Sequence, residues 1–213
     1  MSRFAIAALL LPLVASAATA EPFRADVWAD NWFEMRIDGT KVVEDSVPIT
    51  TERSFNAETF EFDADRPFVI GVVAKDFKSD DTGLEYIRTR RQHMGDGGLI
   101  VQIEDRTGEK SIVSSADWQC LTIHTAPLDK SCAAEADPIP GEGACGFAVA
   151  DVPAGWDRPG FDASDWPRAR VYTAAEVDPK GGYDGIAWDP KAQLIWGGDL
   201  EQSNTVLCRI AIQ

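Results

Sequence analysis

Histidine is nearly missing from this chain: His93 and His124 are the only two among 213 residues. The four cysteines form no Cys-x-x-Cys pair. A metal centre built on imidazole and thiolate therefore has too few ligands at a usable spacing. The common catalytic signatures are missing as well. There is no Gly-x-Ser-x-Gly elbow, no His-Glu-x-x-His, no P-loop and no Rossmann glycine fingerprint. His93 reads as a loop histidine beside Arg90 and Arg91, and His124 closes a strand without a nucleophile context. Positive charge is scarce, with 20 Lys and Arg against 35 Asp and Glu and a formal net charge of −15. Such a surface argues against nucleic acid and anionic lipid as partners, and it suits neutral or cationic ligands. Helical periodicity is lacking throughout the chain after its first twenty residues.

Those first residues read as a secretory signal. Arg3 is the basic region, Phe4 to Ala15 the apolar core, and Ala18-Thr19-Ala20 the small-residue cleavage site. The apolar run is short of the roughly 20 residues that a bilayer span needs. The mature chain is expected to start at Glu21, with no transmembrane segment after cleavage and a destination in the periplasm or outside the cell. The remaining 193 of 213 residues suit one domain, residues 21–213, with a sizeable core. An even count of cysteines in an oxidising compartment predicts two disulfides among Cys120, Cys132, Cys145 and Cys208, with three connectivities open.

The rest of the pattern is short strands punctuated by turns. From Trp32, Phe33, Met35 and Ile37 alternate with Glu34, Arg36 and Asp38, and Asp38-Gly39 is a hairpin turn into Thr40–Val47. Further strands are predicted at Ser54–Asp63, Phe68–Lys75, Leu99–Glu104, Ile112-Val113, Trp118–Ile123, Ala169–Thr173, Ala192–Trp196 and Thr205–Ile212. Asp129–Gly146 is poor in large apolar residues and reads as an inserted loop carrying Cys132 and Cys145. Gly155–Arg170 packs Trp156, Phe161 and Trp166 between Pro-Gly and Asp turn signals, and is predicted to be a rigid aromatic corner. The fold class that follows is all-β, a single antiparallel sandwich.

Two stretches then resemble a family. Ala29-Asp30-Asn31 through Ile37-Asp38-Gly39, and Trp156 through Pro167, resemble the paired strand and corner elements of galactose-binding-like jelly-roll domains, the sugar-binding modules of glycoside hydrolases and lectin-like secreted proteins. Trp118-Gln-Cys120, Ile195-Trp196 and Val206–Arg209 resemble other elements of the same domains, so the likeness runs from Asp26 to Ile212. Asp38 where Asn is frequent, Ala163 where a second acid is frequent, and the insert depart from the pattern. The resemblance implies a jelly-roll sandwich, the pairs Cys120–Cys208 and Cys132–Cys145, and a structural Ca2+ held by loop carboxylates. Asp63, Asp65, Asp80, Asp81 and Asp96 are the candidates for that ion, without EF-hand spacing. No other cofactor is implied.

Aromatic platforms beside polar groups are what sugars need. Trp28, Asp30, Trp32, Asp184 and Trp188 are the candidate ligand residues on that ground, while Trp118, Trp156, Trp166 and Trp196 are assigned to core or corner. The expected function is non-catalytic recognition of carbohydrate. The alternatives are docking of another exported protein through Arg88–His93 or the insert, and, third, a glycoside hydrolase, which needs a facing carboxylate pair.

Overall fold

The computed structural model describes residues 20–109 and 111–213. The expected signal segment lies outside the described residues, apart from Ala20. Fourteen strands dominate among the described residues: β1 Glu21–Asp30, β2 Trp32–Ile37, β3 Thr40–Glu44, β4 Asn56–Ala64, β5 Phe68–Lys75, β6 Leu84–Glu85, β7 His93–Met94, β8 Gly98–Asp105, β9 Ile112–Val113, β10 Gln119–Thr125, β11 Ala148–Val149, β12 Arg170–Tyr172, β13 Leu194–Trp196 and β14 Ser203–Ile212. One sheet has the order β12-β13-β8-β1-β4, with β9 added to β8, and the other has the order β11-β10-β14-β5-β2-β3. All their pairings are antiparallel, so the expected sandwich is found. The helical content among the described residues is one turn, α1 Ala174–Val177, and three short 3-10 segments. No helix among the described residues is long and apolar enough to cross a membrane.

Local chemistry explains most boundaries. Phe33, Met35 and Ile37 face the core from β2 while Glu34 and Arg36 stay half-buried, as the alternation requires. Asp38 (φ 49°) and Gly39 (φ 83°) take the left-handed conformations of a two-residue hairpin turn. Chain β1 escaped the sequence reading. Both of its faces are covered, so Ala25 through Asp30 are buried in succession and no polar alternation marks it. The segment 178–193 lies over one face, where Trp28 Nε1 donates to the carbonyls of Lys180 and Gly181 at 3.1 and 3.0 Å.

Cys120 and Cys208 stand opposite each other on β10 and β14 and are bonded. Cys132–Cys145 closes the insert, whose halves form the 3-10 turns Lys130–Ala134 and Gly143–Cys145. With Leu84 these two cysteines make a small second core against Ile87 and Met94. Arg88–His93 is mainly the turn between β6 and β7, with only His93 paired. Two of its arginines are engaged: Arg88 pairs with Asp137 of the insert, and Arg91 lies 4.3 Å from the Tyr86 ring centre. The aromatic corner is as expected, with Trp156 stacked on Trp166 at 6.1 Å and Asp162 accepting from Ser164 N at 2.9 Å.

Candidate functional site

Antiparallel pairing brings the C-terminal ends of β1 and β5 and the N-terminal ends of β8 and β14 to one end of the sandwich. Asp30 ends β1, Asp76 follows β5, and Asp96 precedes β8. A carboxylate oxygen from each lies within 4.8 Å of the other two. Asp30 and Asp76 are buried, at 0% and 2% exposure, and Asp96 is half-buried. The glycine-rich turn makes this approach feasible. A Cβ on Gly95 would collide with the Asp76 carboxylate, and one on Gly97 would run into the Trp196 ring. Those glycines let the strap that carries Asp96 lie flat on the sandwich end.

The electrostatics are lopsided. Both oxygens of Asp30 and Oδ1 of Asp76 have no hydrogen-bond partner. Asp76 Oδ2 accepts a long bond from Asn204 Nδ2 at 3.4 Å. Lys180 Nζ stands 3.8 Å from Asp96 and 3.7 Å from Asp178. Burial, reinforced by the neighbouring carboxylates, holds the Asp30 and Asp76 carboxyls well above the usual range. Burial raises Asp96 as well, against the pull of Lys180. Glu85, on the adjacent β6, is pushed up to about 8 by burial and then by Asp96.

Above this floor opens a cleft of about 440 Å³ whose walls include Arg53, Phe55, Glu85, Tyr86, His93 and Lys180, with Asp96 at its base. Tyr86 sits at φ 48°, a conformation bulky residues rarely hold. Its ring faces His93 at 5.5 Å, and a hydrogen bond from its hydroxyl holds the Glu52 carboxyl below its usual value. A neighbouring hollow of about 660 Å³ shares His93 and Asp96. Within it Lys130 bridges Asp199 and Glu201 at 3.0 and 2.6 Å.

The residues expected from sequence distribute differently. Asp30 lies in the floor. Trp28 is fully buried and is not a platform: its indole anchors the 178–183 loop, and Tyr183 packs edge-on at 5.5 Å. Trp188 is half-buried on Tyr183, donating to its carbonyl at 3.0 Å, and Asp184 is exposed on the same loop. Trp32 belongs to the other sheet, under Lys75 Nζ at 4.7 Å. Of the expected calcium ligands only Asp96 reaches the cluster. Asp63 and Asp65 are exposed at the end of β4. Asp80 caps its own turn by accepting from Thr82 N at 2.8 Å, and Asp81 pairs with Lys78 and with His124 Nε2 at 3.0 Å.

Asp76, Glu85, Tyr86 and Phe55 were missed by sequence reasoning. A carboxylate placed directly after the buried run Phe68–Lys75 was the one available signal for Asp76. Comparison with known proteins finds no matching family model, no matching curated protein and no matching solved structure. The class that the fold defines is an antiparallel β-sandwich with two disulfides and a polar cleft at one end.

Proposed function

We propose that this chain is an exported, non-catalytic recognition module that binds carbohydrate in the cleft around Tyr86. The observation carrying this is the pairing of aromatic surface, Tyr86 and Phe55, with Glu52, Arg53, Glu85, His93 and Lys180 in one open cavity. Sugars present C–H faces to aromatic rings and hydroxyls to such donors and acceptors. The cleft wall is braced: the disulfide-closed insert holds the Tyr86–His93 turn through Gln92 Nε2, which donates to the Ala133 and Glu135 carbonyls at 3.1 and 2.8 Å. The placement of Asp30 and Asp76 supports a non-catalytic reading, because both are buried and neither lines the cleft as a facing carboxylate pair would.

A second reading, docking of an exported protein, draws on another surface. Leu128, Phe147, Val149 and Val152 are exposed at 54%, 37%, 67% and 53%, around the short edge strand β11. Such clustered apolar exposure suits a partner. Calorimetric titration of the mature protein with a panel of soluble glycans tests the first reading. One glycan class should bind saturably, and Tyr86→Ala should weaken it by about tenfold or more while Trp32→Ala leaves it unchanged. A flat panel from folded protein overturns it. Capture of an exported protein that Val149→Asp abolishes would then favour the second.

A further inference from the structure

We propose that Asp30, Asp76 and Asp96 form a divalent-cation site of the calcium type beneath the cleft. Their oxygens converge within 4.8 Å. Two oxygens on one Ca2+, at 2.3–2.6 Å each, stand up to about 5 Å apart, so all three can share an ion. The donor set is entirely hard oxygen, with no thiolate or imidazole in the group, which is the chemistry of Ca2+ rather than Zn2+ or Cu2+.

Acidic clusters are common on proteins, and most need no ion. This one differs in its unmet demand. Asp30 is 0% exposed, yet both its oxygens lack a partner, and Asp76 Oδ1 lacks one too. Asp26, buried on the same strand, is satisfied by contrast: it accepts from Thr59 Oγ1 at 2.6 Å and Gln102 Nε2 at 2.8 Å. Removing a carboxylate from water without a partner is costly, and a bound cation offsets that cost for all three groups at once. Lys180 reaches only Asp96, at 3.8 Å, and shares itself with Asp178.

The supports are rigid as well. Asp30 and Asp76 end long central strands, and Asn31 Oδ1 accepts from Phe77 N at 2.5 Å, tying the two strand ends together. A preformed cage with buried ligands favours Ca2+ over Mg2+, which gives up its own waters reluctantly. The site stands independently of what the cleft binds.

The test uses the mature chain, stripped with EDTA and dialysed, with CaCl2 as the probe. Calorimetry should show one saturable site, and thermal denaturation should shift upward by several degrees with added Ca2+. Asp30→Asn should weaken Ca2+ binding by about tenfold or more, and Asp129→Asn, a turn carboxylate elsewhere, should not change it. Asp96→Asn is the second variant if Asp30→Asn does not fold, because Asp96 is only half-buried. No saturable heat and no thermal shift up to about 10 mM Ca2+ overturns the proposal, since even weak extracellular sites fill by then. Wild-type affinity in both variants overturns it too, and binding of Mg2+ as tight as Ca2+ overturns the calcium assignment.

Discussion

The middle and the end of β1 treat the same residue in opposite ways. Asp26 and Asp30 are two strand periods apart, share a face and are buried at 5% and 0% exposure. Asp26 is met on both oxygens by Thr59 and Gln102, and Gln102 passes the network on through Oε1 to Asp189 N at 2.7 Å. Asp30 is met on neither. Asp45, at 4% exposure after β3, is intermediate: Oδ1 accepts from Val47 N at 2.8 Å and Oδ2 has no partner. Buried carboxylates in this fold therefore form a series, from a closed hydrogen-bond network to a group that waits for a counter-charge. Burial alone does not distinguish structure from site; the missing partner does.

The largest way to break this comparison is at Asp30. Without divalent cations at pH 8, Asp30→Asn should stabilise the fold by about 4 kcal/mol, the scale of an uncompensated buried charge. Its amide donates to the facing carboxylates. Denaturant unfolding in EDTA measures this, and a loss of stability would place Asp30 with Asp26.

Asp45 is next, and its effect depends on pH. Burial, with Glu58 nearby, raises its carboxyl to about 6. The folded state then holds the proton more tightly than the unfolded one, whose carboxyl has the ordinary value near 4. Stability from this group is greatest below about pH 4, falls as pH rises to about 6, and stays lower above. Asp45→Asn should gain about 3 kcal/mol at pH 8 and nothing at pH 4. Unfolding at both pH values decides it, and a gain of equal size at both would show that charge is not the cause.

The smallest expected change runs the other way. Asp26→Ala should cost about 2 kcal/mol, because it removes a partner of the buried Gln102 amide, 1% exposed. A neutral result would mean that the Asp26 network adds nothing beyond packing.

Much of the architecture was legible where local rules act alone. The Asp38-Gly39 hairpin, the uniform apolar run of β5 and the aromatic corner all announced themselves, because turn chemistry and hydrophobic period depend on neighbours in sequence. Trp28 was misread for the converse reason. An indole beside polar residues looks like a platform until a loop some 150 residues away, with carbonyls at Lys180 and Gly181, closes over it. The candidate site was legible only in pieces. Asp30 and Asp96 were singled out separately, for different roles, while Asp76 offered only its place directly after the buried run of β5.

By itself the sequence determined an all-β chain with paired cysteines, an acidic balance and turns at defined places. These follow from composition and period, which need no knowledge of distant contacts. Only the tertiary structure decided which carboxylates would be stranded together. Asp30, Asp76 and Asp96 come from three strand ends, and antiparallel pairing across two sheets is what gathers them. A residue's partners, and so whether its charge is met, are set by that non-local packing and not by its neighbours in the chain.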